Sequence, residues 1–277
     1  MTLFVSTRQG GDGSSLAPPA GYEGPFGTAA KPTVTALTPE AFARRLENKH
    51  VLVATHGFNV GFENGVRSLD RLGAYLNLGP GWAFVGVLWP GDFFIPVVNY
   101  SWEADDAVKS GRRLARYLNA VGAGANSFSF LSHSLGARVV LEAAGAMGRK
   151  VRSICVTAAA ADDNTLTTGH NLARTNCGPI SVLSSLQDKT LFLAYPVGDF
   201  FSDATYDRDS PWKGALGRYG SNPREPEVIN HPIPRAADYD HGDYFPPGGP
   251  KPVPTGKWTA VADHARRHIL AQVQTWP

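Results

Sequence analysis

Cysteine is scarce in this sequence, and its scarcity narrows the class of protein. Only Cys155 and Cys177 occur among 277 residues, so at most one intramolecular disulfide can form. A small scaffold held together by several disulfides is therefore excluded. This cysteine usage favours a reducing compartment.

Charge of one sign is not concentrated anywhere in the chain. The 26 basic and 24 acidic residues are scattered and give a formal net charge of +2. Nucleic-acid binding depends on a basic patch or stripe. We therefore expect no nucleic-acid partner.

Long apolar runs are also missing. No stretch approaches the roughly 20 apolar residues that span a bilayer, which predicts that there is no integral membrane association. The first residues, Met1 to Arg8, lack a basic region followed by an apolar run of the signal-peptide type. A cytoplasmic protein of unknown oligomeric state is the resulting expectation.

The chain does contain enough apolar material for one large core. Its residues are 43% hydrophobic and 18% charged, which argues against disorder, and its length suits one domain over residues 1–277. Apolar runs rich in β-branched and aromatic residues predict buried strands. These runs cover residues 3–6, 51–55, 83–89, 127–131, 153–158 and 190–195.

Amphipathic helices are predicted between these strands. Thr38 can cap a helix over 38–47, with Pro39 at the favoured first position. Apolar residues at intervals of three and four predict further helices within 66–76, 108–121 and 258–276. The alternation predicts an α/β protein with a mostly parallel central sheet and helices on both faces. Ligands are then expected beyond the carboxyl ends of the strands.

Two segments, 10–31 and 199–254, break the alternation. Both are dense in Gly and Pro, which oppose long helices and central strands. We predict loops for both. The second forms a long excursion whose many aromatic residues suggest that it packs near a site.

The strongest chemical signal lies in residues 127–140. An apolar strand leads into Ser132-His133-Ser134-Leu135-Gly136 and then into a helix. A nucleophilic serine on a sharp strand-to-helix turn needs small residues two positions to either side. We predict that Ser134 is such a nucleophile, although Ser132 replaces the usual first Gly. The alternative is a serine that only caps the helix.

A second turn, at residues 56–59, follows the predicted strand 51–55. In this setting backbone N–H groups stabilise the negative charge of a tetrahedral intermediate. We predict Phe58 and Leu135 as the two donors of this oxyanion hole. Gly57 would let the backbone approach the substrate without a Cβ atom. The alternative is that His56-Gly57 only ends the strand.

Residues beside these two turns are the candidates for substrate contact. They are His56, Gly57, Asn59, Trp89 and His133. For Trp89 a place in the core is an equal alternative.

The first half of the chain, about residues 1–165, contains several short motifs in a fixed order. They are Ser6-Thr7-Arg8, His56-Gly57-Phe58-Asn59, Leu88-Trp89-Pro90, Tyr100 with Asp105 or Asp106, and His133-Ser134-Leu135-Gly136. In this combination they resemble a bacterial α/β-hydrolase family of largely undefined substrate. The resemblance implies the α/β-hydrolase fold and a Ser-Asp-His triad, but no substrate. Residues 240–245 resemble the segment that carries the family's histidine.

The acid of the triad should follow the strand after the one that ends near Ala158, because the chain order in this fold is Ser, Asp or Glu, His. Strand 190–195 fills that place, and Asp199 lies just beyond it. We predict Asp199 as the acid. Asp203 and the pair Asp162-Asp163 are the alternatives.

The base is predicted to be His241, which lies between Asp240 and Gly242 on a turn and after the acid in the chain. His231 is the alternative. His264 and His268 have the spacing of a helical zinc site but lack the glutamate after the first histidine. We therefore predict a solvated helix face there, and no metal.

These residues together predict a serine hydrolase that cleaves a carboxylic ester or a similar acyl bond of a small molecule without a cofactor. An amidase or thioesterase on the same scaffold is an alternative within the enzyme class. A binding or scaffolding protein that kept the fold and lost turnover is the alternative from a different class.

Overall fold

Nine strands form one sheet in the computed structural model, which describes residues 2–24, 32–91, 100–193, 214–251 and 253–272. The strands are β1 (Thr2–Arg8), β2 (Leu16–Gly24), β3 (Thr35–Leu37), β4 (His50–Thr55), β5 (Trp82–Leu88), β6 (Ser127–His133), β7 (Ser153–Thr157), β8 (Ile180–Ser184) and β9 (Val228–Pro232). Their spatial order is β3-β2-β1-β5-β4-β6-β7-β8-β9. Among these described strands, the β1/β2 and β2/β3 pairs are antiparallel and the other neighbouring pairs are parallel. The predicted, mostly parallel sheet is confirmed.

Helices cover the sheet in two layers. The α-helices are α1 (Pro39–Leu46), α2 (Phe62–Leu76), α3 (Tyr100–Val121), α4 (Gly136–Ala146), α5 (Asn171–Thr175), α6 (Lys189–Leu193), α7 (Leu216–Tyr219) and α8 (Lys257–Ile269), with short 3-10 helices at Arg235–Ala237 and His241–Asp243. Helices α3 and α4 pack on each other, and α2 packs on α8. In the ranges that the structure describes, no helix is long and apolar enough to cross a membrane.

Burial on both faces explains the composition of the central strands. Val51, Leu52, Val53 and Ala54 of β4 are all completely buried. A strand covered by helices on both sides reads as a continuous apolar run, which is why β4 can be recognised from the sequence. Helix α1 can also be predicted from the sequence, because threonine is a favoured residue before the first turn of a helix. The Thr38 hydroxyl indeed accepts a hydrogen bond from the Ala41 N–H at 3.2 Å.

The strand predicted at 190–195 is wrong. Residues Lys189–Leu193 form α6, and the next strand of the sheet is β8, ten residues earlier in the chain. The segment 190–195 is apolar, but Asp188 accepts the backbone N–H of Leu191 and thereby starts a helix. Local capping therefore decides the structure of residues 190–193 against their β propensity, and residues 194 and 195 lie outside the described ranges.

The two predicted loops contain regular structure as well. Strand β2 lies within 10–31, although it includes Pro18 and Pro19. Its pairing with β1 shifts register between Ser6 and Arg8, and a bulge of this kind tolerates residues that lack an N–H. Strand β9 and helix α7 lie within 199–254.

Several of the predicted functional residues lie at one edge of the sheet. Strands β4, β6, β7 and β8 are neighbours and run parallel, so their carboxyl ends meet at this edge. The segments that follow β4, β6 and β8 begin at His56, Ser134 and Ser185. Residues far apart in sequence are thereby brought together.

Candidate active site

Ser134 occupies a strained turn between β6 and α4. Its φ of 55° lies in the left-handed region, which a residue with a Cβ adopts at a cost. The turn is fixed by the Ser134 N–H, which donates to the carbonyl of Thr157 at 3.1 Å. A Cβ on Gly136 would lie 2.4 Å from the carbonyl oxygen of His56. Close packing therefore demands glycine two residues after the serine.

His241 faces this serine. Its Nε2 lies 2.7 Å from Ser134 Oγ. The ring sits at the start of a 3-10 helix whose first N–H, that of His241, donates to the Asp240 carboxylate at 2.8 Å. The structure thus brings the predicted nucleophile and the predicted base into hydrogen-bond contact, although 107 positions separate them in the chain.

A carboxylate completes the arrangement, and it is that of Asp188. Its Oδ2 lies 2.8 Å from His241 Nδ1, and its side chain is completely buried. The other oxygen, Oδ1, accepts the Leu191 N–H at 2.9 Å. Because a carboxylate accepts, Nδ1 donates, and Nε2 is left to accept the Ser134 hydroxyl proton.

Asp188 was not among the residues predicted from the sequence as the acid of the triad. The prediction of Asp199 depended on a strand at 190–195 that is not there; Asp199 and its alternative Asp203 lie outside the described residues. Asp162 instead lies 3.9 Å from the guanidinium of Arg138. The signal that was missed is the short segment Ser185-Leu186-Gln187-Asp188 directly after β8.

Asp188 is held firmly in place. Its carbonyl oxygen accepts a hydrogen bond from Arg218 Nη1 at 2.6 Å. The following N–H, of Lys189, donates to Asp240 Oδ1 at 3.1 Å, and that same oxygen accepts the His241 N–H. The Asp240 carboxylate therefore links the segments that carry Asp188 and His241.

The turn at residues 56–59 lies directly against Ser134. A Cβ on Gly57 would come within 2.7 Å of Ser134 Cβ. Asn59 has a left-handed φ of 57° and is exposed. Its N–H donates to the Gly91 carbonyl at 2.5 Å. The predicted closeness of this turn to the serine is thus present in the structure.

Two of the side chains predicted to contact substrate are buried beneath this turn. Trp89 is completely buried and donates from Nε1 to the His56 carbonyl at 3.0 Å. The His56 ring stacks on Trp89, donates from Nδ1 to the Gly57 carbonyl at 2.8 Å and is 2% exposed. Burial lowers the pKa of His56 to about 3, so the ring is neutral. Both side chains support the turn from below rather than face a ligand.

The predicted solvated face of the last helix is wrong. His264 is completely buried and His268 nearly so. His264 Nε2 lies 3.0 Å from the Ser181 hydroxyl, and its ring packs edge-on against His231 at 4.6 Å. His231, the alternative base, therefore belongs to this buried cluster under α8 and not to the surroundings of Ser134.

Fold and site define this chain as an α/β hydrolase, with a serine on a strand-to-helix elbow at the carboxyl edge of a mostly parallel sheet. Residues 36–199 match the family described as "Alpha/beta hydrolase of unknown function (DUF900)". The match covers more than half of the chain, which therefore belongs to this family. The resemblance to the α/β-hydrolase family is thereby confirmed at the level of the family.

Solved structures of esterase 2 from the planctomycete Thermogutta terrifontis are similar to this chain at low identity. The butyrate-bound form is 10% identical, with a TM-score of 0.38, over 73% of this chain and 77% of the esterase. The apo form is 11% identical, with a TM-score of 0.37, over 81% and 86%. The form phosphorylated by paraoxon is 10% identical, with a TM-score of 0.37, over 81% and 85%. Among curated proteins, no match is found.

Proposed function

We propose that this protein is a serine hydrolase that cleaves a carboxylic ester, or a similar acyl bond, of a small molecule through an acyl-enzyme. One observation carries the proposal. Asp188, His241 and Ser134 form a continuous chain of hydrogen bonds of 2.8 and 2.7 Å, and the serine sits on a strained elbow. A serine is activated when an adjacent base is itself oriented by a third group.

The proposed roles follow from the donors and acceptors. Ser134 Oγ attacks the carbonyl carbon of the ester while its proton passes to His241 Nε2. The Asp188 carboxylate holds the correct imidazole tautomer and stabilises the imidazolium. Nε2 then returns the proton to the leaving alkoxide as the tetrahedral intermediate collapses. A water molecule then gives a proton to His241 Nε2 and attacks the carbonyl carbon of the acyl-enzyme. As this second tetrahedral intermediate collapses, Nε2 returns the proton to Ser134 Oγ, and the acid is released.

Phe58 and Leu135 are proposed to supply the oxyanion hole through their N–H groups. Leu135 lies directly before the first residue of α4, where helix N–H groups and the helix dipole favour negative charge. Neither N–H donates to a backbone carbonyl within the described ranges. Gly57, the residue of this turn that faces Ser134, has no Cβ and leaves space for a substrate carbonyl. We propose that the main chain of Gly57 and Asn59 borders this space for the substrate carbonyl.

Replacement of the nucleophile tests the proposal. We expect Ser134→Ala to keep the fold and to lower kcat/KM for short p-nitrophenyl esters by at least about 10³-fold, because no other group can form the acyl-enzyme. Ser127→Ala, at the opposite end of β6 and bonded to His50, is the matched control and should retain wild-type activity. A panel of ester, thioester and amide substrates identifies the acyl class.

Two outcomes would overturn the proposal. The first is a folded Ser134→Ala variant that hydrolyses esters at the wild-type rate, because the nucleophile would then lie elsewhere. The second is a folded wild-type protein that neither hydrolyses any member of the panel nor reacts with a fluorophosphonate. That result would indicate a catalytically silent protein on the same fold.

A further inference from the structure

His133 makes a contact that a substrate-binding role does not explain. It is the last residue of β6, directly before Ser134. Its Nε2 lies 2.8 Å from the backbone carbonyl oxygen of His241. A carbonyl oxygen only accepts, so Nε2 carries the proton and donates it. The residue next to the serine thereby binds the main chain of the histidine that faces the serine.

The surroundings of the ring tie it to the same loop. The His133 ring lies 5.0 Å from the ring of His241, 5.4 Å from Phe245 and 6.1 Å from Tyr244, measured between centroids. Tyr244 is completely buried, and Phe245 is nearly so. Loop residues 241–245 are therefore packed around His133, and their position depends on it.

The other side of the ring faces the turn at residues 56–59. A Cβ on Gly57 would lie 3.1 Å from His133 Nδ1 and 2.7 Å from Ser134 Cβ. His133 is thus enclosed between the loop that carries His241 and the turn that carries Phe58. The side chain is half-buried, and its Nε2 is already engaged by the His241 carbonyl.

The charge state of the ring agrees with this geometry. Burial, together with the nearby His241, lowers the pKa of His133 to about 3. The ring stays neutral when His241 becomes an imidazolium, so it adds no like charge beside it. A neutral ring with its proton on Nε2 is also the form that the His241 carbonyl requires.

We propose that His133 is a positioning residue, which fixes the main chain of His241 and so holds the imidazole between Asp188 and Ser134. The inference rests on the proposed function. Asp188 fixes the ring of His241 through Nδ1, and His133 fixes its backbone through the carbonyl. Two anchors on opposite sides of one residue leave its ring little freedom, and sub-ångström placement of a base decides its efficiency.

A pair of substitutions separates the hydrogen bond from the bulk of the side chain. In His133→Gln the amide Nε2 stands as many bonds from Cα as the imidazole Nε2, so it can donate to the same carbonyl. His133→Met has the same chain length and no donor. We expect His133→Met to lower kcat for ester hydrolysis about 10- to 100-fold, with KM close to wild type, and His133→Gln to restore most of kcat.

A second measurement does not depend on activity. Ring ¹⁵N resonances of selectively labelled histidines report the tautomer of His241 in the free protein. We expect wild type and His133→Gln to show one tautomer with the proton on Nδ1, and His133→Met to show a mixture. Thermal unfolding of each variant establishes that it is folded.

The outcomes divide cleanly. Loss of kcat and a mixed tautomer in His133→Met, both reversed in His133→Gln, support the proposal. A rise in KM at constant kcat would overturn the proposal and indicate substrate contact instead. An equal loss of kcat in both variants would also overturn it, and so would a folded His133→Met variant with wild-type kcat and wild-type ¹⁵N resonances. If wild type proves inactive towards every acyl substrate, the proposed function fails, while the ¹⁵N comparison still decides the role of His133.

Discussion

Ser134 and Asp188 both bond to His241, yet the two are held in different ways. The serine is placed mainly by neighbours in sequence, which are strand β6 before it, helix α4 after it and the left-handed φ between them. One hydrogen bond, from its N–H to the carbonyl of Thr157 at the end of β7, adds to them. Asp188 lies 53 positions from the histidine that it contacts. Its place depends on Arg218 and on the Asp240 carboxylate, which join three separate segments.

This difference separates local from tertiary constraints. The elbow is one continuous segment, so its geometry is encoded in a short motif and is formed whenever β6 enters the sheet. The Asp188–His241 pair requires β8, α6, α7 and residues 240–245 to be in place together. We therefore expect substitutions in any of these segments to change activity by moving Asp188 relative to His241.

The largest effect after loss of Ser134 itself is predicted for Asp188→Asn. An amide in place of the carboxylate can favour the wrong imidazole tautomer, which costs up to about 10⁴ in kcat in a serine protease with the same constellation. We expect a loss of about 10²- to 10⁴-fold in kcat/KM on p-nitrophenyl esters. Asp162→Asn is the control, because the Asp162 carboxylate faces Arg138 and not His241. We expect this variant to keep nearly wild-type activity.

Asp199→Asn tests the residue that the sequence predicts as the acid. The sequence favours Asp199, whereas the geometry favours Asp188. Near wild-type kcat/KM is expected for Asp199→Asn. If Asp199→Asn is inactive and Asp188→Asn is fully active, both being folded, the contact at 2.8 Å does not function in catalysis.

A smaller loss of kcat is predicted for Gly57→Ala, which changes the turn beside the Ser134 elbow. The new Cβ would lie 2.7 Å from Ser134 Cβ and 3.3 Å from the His133 carbonyl, so the turn that bears the Phe58 N–H must move. Loss of one oxyanion donor costs about 10²- to 10³-fold in kcat, and we expect a reduction of about 10- to 100-fold for this partial displacement. Gly81→Ala, where no atom lies within 4 Å of the added Cβ, should retain full activity. Full activity in Gly57→Ala would argue against an oxyanion hole at this turn.

The smallest effect concerns stability and not turnover. Burial lowers the pKa of His56, His170 and His264 to about 3, below the value of about 6.5 in an unfolded chain. Between these values the unfolded state binds protons that the folded state does not. The stability that the neutral rings contribute is therefore present above pH 6.5 and is lost as the pH falls towards 3.

Denaturant unfolding between pH 7.5 and 4.5 measures this dependence. Each such histidine adds up to about 1.4 kcal/mol per pH unit to the slope of the unfolding free energy. His170→Gln should lower the slope in this window by up to that amount, whatever its effect on stability at pH 7.5. An unchanged slope would indicate that His170 is protonated in the folded protein.

The sequence predicts the parts of the molecule that depend on local constraints. Three elements could be predicted because each requires particular residues close together in the chain. Burial on both faces requires the apolar run of β4, the strained φ of Ser134 requires small neighbours, and the cap of α1 requires Thr38. His241 is also predicted, from its place on a turn after the acid in the chain order of the fold.

The acid could not be placed in the same way. Strand β8 contains Ser181 and Ser184, which look like surface residues in the sequence, yet both are buried. The Ser181 hydroxyl bonds to His264, 83 positions away. Contacts between residues so far apart in the chain form only in the folded protein. Neither strand β8 nor the burial of His264 could therefore be predicted from the sequence.

Reaction with a fluorophosphonate tests most directly the claim that Asp188, His241 and Ser134 act as one unit. The rate constant for inactivation is measured for wild type, Asp188→Asn and Asp162→Asn, and the modified residue is identified by peptide mass spectrometry. We predict one equivalent of label on Ser134, a rate lowered by at least about 10²-fold in Asp188→Asn and an unchanged rate in Asp162→Asn. Label on a different residue, or wild-type reactivity of Ser134 in folded Asp188→Asn, would contradict the account.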